Sequence, residues 1–170
     1  ARTFSAAQGL LAEKEPNDTA AQATPLGGTN VVAKGNIYKL SNGPASAGGD
    51  VDMWSFSGSA GDRVYAAVQT TFNASGSTDS QLRLIGTDGT TVIEFDEDDG
   101  ALGSLSSTIA GATLPASGTF YLKVNHFSAT GVLRPYFLHF RLQSGSPTAE
   151  VETNDTPATA NPLPANGWVS

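Results

Sequence analysis

The chain has 170 residues, a formal charge of −7 and no cysteine. These exclude a disulfide framework and a thiol nucleophile, and they argue against nucleic acid, whose phosphates demand a basic face. No apolar run approaches the roughly 20 residues of a membrane-spanning helix. The acidic, Gly/Ser/Thr-rich, cysteine-free composition is common among proteins exported by bacteria, and a secreted, extracellular location is expected. Ala1-Arg2-Thr3-Phe4 has no signal-peptide character, as in an already processed chain or a fragment.

Residues 1–12 read as a leader. The next segment, AEKEPNDTAAQATPL from Ala12, returns near the other end as AEVETNDTPATANPL from Ala149, 137 residues on. A domain over 13–147 is therefore expected, followed over 148–170 by a linker and the truncated start of a second similar repeat. Asn17-Asp18-Thr19 suits either an Asx-type turn capping a short helix within Thr19–Thr24 or a set of metal ligands. Strands are expected at Val31–Leu40, Val51–Ser57, Arg63–Thr70, Ser80–Gly86, Thr91–Asp96, Ser106–Thr113, Thr119–Asn125 and Pro135–Gln143. Turn chemistry separates them, including Asn42-Gly43-Pro44, Gly58 to Gly61, Asp88-Gly89 and Ser117-Gly118.

Alternation assigns Phe120, Leu122 and Val124 to one strand face and Tyr136, Leu138, Phe140 and Leu142 to another. Their opposite phases carry Tyr121 and Lys123, and Phe137, His139 and Arg141, which together form a candidate wet binding face. Many short strands without helical periodicity predict an all-β fold, an antiparallel β-sandwich of jelly-roll type.

Catalytic constellations are poorly served. Ser57-Gly58-Ser59-Ala60-Gly61 misses the nucleophile-elbow spacing, and any triad base must be His126 or His139. The acidic run Asp96-Glu97-Asp98-Asp99-Gly100 reads as a solvated turn, or as a weak calcium contact, since it departs from the EF-hand pattern. A better calcium set is Glu13, Glu15, Asn17 and Asp18, because alternate residues of an extended segment present oxygens to one side. Asp50 and Asp52 open the strand through Trp54 and Phe56 and complete a site if the two segments lie together.

In order, Glu-x-Asn-Asp…Pro-Leu, Gly35-Asn36-Ile37, Asp52-x-Trp54-x-Phe56, Gly61-Asp62-Arg63-Val64, Asp88-Gly89, Asp98-Asp99-Gly100 and the run Leu114 to Val124 resemble the bacterial pre-peptidase C-terminal domain family. The resemblance runs from about Glu13 to Leu142. It implies a jelly-roll-like sandwich that accompanies the catalytic domain of secreted proteases. It also implies calcium held by residues like Glu13, Glu15, Asn17 and Asp18 with an acid before the Trp54 strand. Asp52 fits that role; Asp50 departs from the collagenase-type spacing. The collagen-binding tyrosines of collagenase members do not carry over.

The expectation is a monomeric, non-catalytic, calcium-binding accessory domain of a secreted bacterial protein, most often a peptidase. It would aid secretion, stability or attachment to a polymeric protein or polysaccharide substrate, with the parent catalytic domain as partner. The alternative is a tandem adhesion or surface-display module of an exported protein without an enzyme.

Overall fold

The computed structural model describes residues 10–38, 49–74, 77–165, 167 and 169. Among the described residues, ten strands form two five-stranded sheets. In chain order they are β1 (Leu11–Ala12), β2 (Thr24–Pro25), β3 (Asn30–Ile37), β4 (Val51–Gly58), β5 (Arg63–Gln69), β6 (Ser80–Ile85), β7 (Val92–Asp96), β8 (Thr108–Thr113), β9 (Gly118–His126) and β10 (Leu133–Gln143). The first sheet runs β1-β3-β10-β5-β8 and the second β2-β4-β9-β6-β7. Pairing is antiparallel except for β1 on β3 and β2 on β4.

The period-two pattern explains the layering. On β9, Phe120, Leu122 and Val124 are buried, and on β10, Tyr136, Leu138, Phe140 and Leu142 are buried. These rows face each other across one core that also holds Trp54, Phe56, Val64, Val68, Leu82 and Ile109. Phe56 of one sheet meets Phe140 of the other with ring centroids 4.8 Å apart. Among the described residues no helix is long and apolar enough to cross a membrane.

The main strands fall where alternation puts them, with ends shifted by up to three residues. Leu40 and the Asn42-Gly43-Pro44 turn lie outside the described residues. Two short elements carry no sequence signal. Strands β1 and β2 have two residues each, too few to alternate, and Pro25 argues against a strand. Both sit at sheet edges, where a missing N–H is tolerated. Between them, residues 13–23 form a strap joining the edge of one sheet to the edge of the other. The short helix expected there is a single 3-10 turn, Ala20–Gln22.

Candidate metal centre

The strap is docked by its backbone. Glu13 N donates to Lys34 O on β3 at 3.0 Å, and Met53 N on β4 donates to Asn17 O at 2.9 Å. These two attachments hold the acidic segment over the gap between the sheets, beside the start of β4. There the carboxylates of Glu13, Glu15 and Asp52 converge, with one oxygen of each within 4.8 Å of the others. Asp52 is fully buried, Glu13 is half-buried and Glu15 is exposed, so the group opens to solvent on the strap side.

Each acid is held by a separate partner. Asn36 donates to Glu13 through its backbone N–H and its side-chain amide, both at 2.8 Å. Asn17 N donates to Glu15 Oε2 at 3.1 Å. The buried Tyr136 hydroxyl donates to Asp52 Oδ2 at 2.5 Å and accepts from Trp54 Nε1 at 2.9 Å. This chain of bonds fixes the Asp52 carboxylate from inside the core and leaves its other oxygen toward the strap. Gly35 makes the arrangement possible. It stands opposite Tyr136 in the β3–β10 register, and a Cβ there would lie 2.3 Å from the tyrosine ring.

Burial pushes the Asp52 carboxyl up to about 10, and the nearby acid Glu13 adds to the effect. Glu15 is raised by burial and by Asp50, and Asp50 is raised by burial and by Asp18. Such a group favours either shared protons or a cation. The Asn17 side chain accommodates both. Its amide end lies 3.2 Å from Glu15 Oε2 and 3.3 Å from Asp52 Oδ1. With nitrogen there, the amide donates to both acids; with oxygen there, it joins them as a fourth oxygen donor. Four hard oxygens from Glu13, Glu15, Asn17 and Asp52 fit a calcium ion, which takes six to eight such donors at about 2.3–2.6 Å.

The structure brings Glu13, Glu15 and Asp52 together with the Asn17 side chain beside them, while Asp18 and Asp50 lie outside the converging trio. Asp50 instead accepts from Tyr38 N at 2.5 Å and from Val51 N at 3.1 Å, anchoring the start of β4. Asp18 is exposed and acts on Glu15 and Asp50 through its charge. The helix-capping alternative does not hold. Thr19 occupies the N-cap position and makes no side-chain cap bond, while Asn17 is buried among the acids. Asn36, Tyr136 and Trp54 are the supports that sequence reasoning missed. Gly35-Asn36-Ile37 carried a signal for the first, since the pattern places a small residue beside an amide.

The second copy adopts the same local shape. Asn154 N donates to Glu152 Oε2 at 3.1 Å, matching the Asn17–Glu15 bond, and Thr148 pairs in parallel with Val169 much as β1 pairs with β3. Glu150, Glu152 and Asp155 are exposed, and among the described residues no strand faces them as β4 faces the first copy.

The wet face expected from alternation is divided by the fold. Tyr121 and Lys123 lie on β9, whereas Phe137, His139 and Arg141 lie on β10 in the other sheet, so the two groups point away from opposite sides of the sandwich. Alternation reports which phase is outward, not which layer a strand joins. Phe137 meets the exposed Phe72 edge-on at 6.2 Å, and His139 Nε2 is 2.9 Å from Gln69 Oε1.

The acidic run Asp96 to Gly100 is tied to neighbouring strands. Asp96 accepts from Thr108 N at 2.6 Å, Glu97 accepts from Gln81 Nε2 at 3.2 Å, and Gly100 N donates to Ser106 O at 2.7 Å. Ser77 Oγ lies 2.5 Å from His126 Nε2, which invites comparison with a nucleophile–base pair. The wiring is the reverse of a base. His126 Nδ1 accepts from Ser128 N at 2.8 Å, so Nε2 carries the proton and donates to the serine.

No family model matches the chain. A curated relative, a probable subtilase-type serine protease of Deinococcus radiodurans, is 32% identical over 111 residues. The match covers 65% of this chain. It spans only 14% of the relative. Among solved structures, the chain is similar to the pre-peptidase C-terminal domain of a Bacillus anthracis collagenase at 17% identity and a TM-score of 0.49, covering 76% of this chain and 100% of that one. It is also similar to PliG of Aeromonas hydrophila, a periplasmic inhibitor of g-type lysozyme, at 16% identity and a TM-score of 0.49, covering 71% of this chain and 96% of that one.

Proposed function

We propose that the chain is a calcium-binding, non-catalytic accessory module of pre-peptidase C-terminal type, carried by a secreted bacterial protein of protease class. The observation that carries the calcium reading is the convergence of Glu13 and Glu15 of the strap with the fully buried Asp52 of β4, one oxygen of each within 4.8 Å of the others. Calcium bound there supplies positive charge to acids that otherwise repel one another. Asn36 and Tyr136 orient two of the acids, and Asn17 adds its side-chain oxygen while its backbone secures the strap to β4.

The role that follows is structural. An ion gripped by both strap and β4 holds the edges of the two sheets together, so the module resists unfolding and proteolysis where calcium is plentiful, as outside cells. The parent-protease reading is supported by the partial match to a subtilase-type protein, and the non-catalytic reading by the reversed Ser77–His126 pair. Attachment to a polymeric substrate and tandem surface display remain consistent with a repeat of the strap at residues 149–163.

Calorimetric titration of the chelator-treated chain with calcium tests the proposal. Saturable binding of one ion per sandwich, with a matching rise in melting temperature, is expected. An unchanged melting temperature in calcium and in chelator would reject it.

A further inference from the structure

The outer face of the β2-β4-β9-β6-β7 sheet carries a row of four residues in register: Met53 on β4, Lys123 on β9, Arg83 on β6 and Phe95 on β7. Two cations directly opposite each other on adjacent strands repel. In a chain of net charge −7, this is an unusual use of two of only nine basic residues. Arg83 is firmly placed. Its guanidinium lies 4.3 Å from the Phe95 ring centroid and donates to Asn125 Oδ1 at 2.9 Å and to Gln81 Oε1 at 3.1 Å. The Lys123 side chain has no hydrogen bond or ion pair among the described residues, and burial together with Arg83 lowers its affinity for a proton.

The pair stands in a cleft of about 600 Å³ with Met53, Ile85 and Val92 among its lining residues. Met53 and Ile85 are buried although they face outward, which gives the cleft an apolar floor. The turn Thr19–Ala21 walls one side and the turn Asp88–Thr90 the other. The walls nearly touch, since a Cβ on Gly89 would lie 2.7 Å from Ala20 Cβ and 4.0 Å from the Tyr121 ring. Asp88 also lines the cleft, its carboxylate held by Thr90 N, Thr91 N and the Thr91 hydroxyl of its own turn rather than by either cation. Asp18, on the strap wall, also lines the cleft and acts on Glu15 and Asp50 through its charge.

We propose that this cleft is a docking site for a protein segment presenting an acidic side chain beside an apolar one. The carboxylate would sit between Lys123 and the edge of Arg83, and the apolar side chain over Met53 and Ile85. Glu97 acts on Arg83 through its charge, so the unmet cation is Lys123, and a carboxylate there relieves its repulsion with Arg83. The lining favours a peptide over a polysaccharide. Sugar rings need an open aromatic platform, whereas the cleft floor is aliphatic, and Phe95, exposed with Arg83 over its ring, lies outside the cleft lining. The site does not depend on the calcium reading.

Met53 is the chain's only methionine, so carbon-13 labelling of its methyl group gives a single resonance in the cleft floor. The whole chain would be titrated in calcium buffer with acetyl-Ile-Glu-Ile-Glu-Ile-amide, with the same peptide carrying Gln for Glu, and with an oligogalacturonate. The Glu peptide is expected to move the resonance with a dissociation constant at least tenfold lower than the Gln peptide. Lys123→Gln should weaken the Glu peptide at least tenfold, and Lys123→Arg should restore it to within about threefold. Equal binding of both peptides, no shift up to millimolar Glu peptide, or a shift with oligogalacturonate alone would overturn the proposal. The Glu/Gln comparison on the unaltered chain decides the matter even if Lys123→Gln folds poorly.

Discussion

Replacing Asp52 with asparagine separates the two roles of that carboxylate. The amide keeps the shape and still offers an oxygen to the Tyr136 hydroxyl, now 2.5 Å from Asp52 Oδ2, but it cannot bear charge. In the metal-free fold, burial raises the Asp52 carboxyl from 3.8 to about 10, so the native state holds a proton at pH 7 that the unfolded chain releases. A raised carboxyl lowers stability as pH climbs through the interval between the two values, by about 1.4 kcal/mol per pH unit. From 3.8 to 7 the cost is at most about 4 kcal/mol, and asparagine removes it. Calcium acts in the opposite direction: at 100 times its dissociation constant it adds about 2.7 kcal/mol, or roughly 10 °C for a domain of this size. Thermal denaturation followed by circular dichroism at pH 7 should therefore separate the two proteins by their calcium response. In chelator, Asp52→Asn melts at or above the unaltered chain; saturating calcium raises the unaltered chain and leaves the variant little changed. A variant that keeps the full calcium shift, or that melts well below the unaltered chain in chelator, would refute the reasoning.

The same linkage predicts that the metal-free protein becomes more stable between pH 8 and pH 5, measured by urea midpoints in chelator, with calcium flattening or inverting the trend. Tyr136→Phe leaves Asp52 and Trp54 Nε1 without their shared partner and should cost about 1–3 kcal/mol in equilibrium denaturation, with weaker calcium binding. Gly35→Ala should lower calcium affinity in titration calorimetry without touching any ligand, because its methyl group would displace the Tyr136 ring. Limited proteolysis should cut in the exposed stretch from Ser144 to Ser146 and leave the sandwich folded, by its retained melting transition; loss of that transition on cutting would place the tail within the first domain.

The strands were legible because most of them bury one face against a single core, and a period of two then records the layer boundary residue by residue. Phe120, Leu122 and Val124 illustrate this. What alternation cannot encode is partnership between distant strands. Tyr121 and Phe137 have the same phase in sequence, yet they end on opposite sides of the molecule because β9 and β10 join different sheets. The clustering of the strap residues was legible for a related reason: Glu13, Glu15 and Asn17 share a phase on an extended segment. Its supports were not, because Tyr136 reaches Asp52 from 84 residues away. The facing pair Arg83 and Lys123 was likewise hidden, since only the β6–β9 register sets them opposite.

The strap has a mechanical consequence. Strand β1 runs parallel to β3, and β3 runs antiparallel to β10, so β1 and β10 run in opposite directions within one sheet. The chain therefore comes in at Leu11 and leaves at Gln143 on the same end of the sandwich. Tension along a string of such units would not stretch each one lengthwise. It would peel the strap from β3 like a zipper, loading hydrogen bonds one after another rather than all at once. The first firm obstacle to that peeling is the cluster at Glu13 and Glu15, and an ion held there would act as the stop on the zipper.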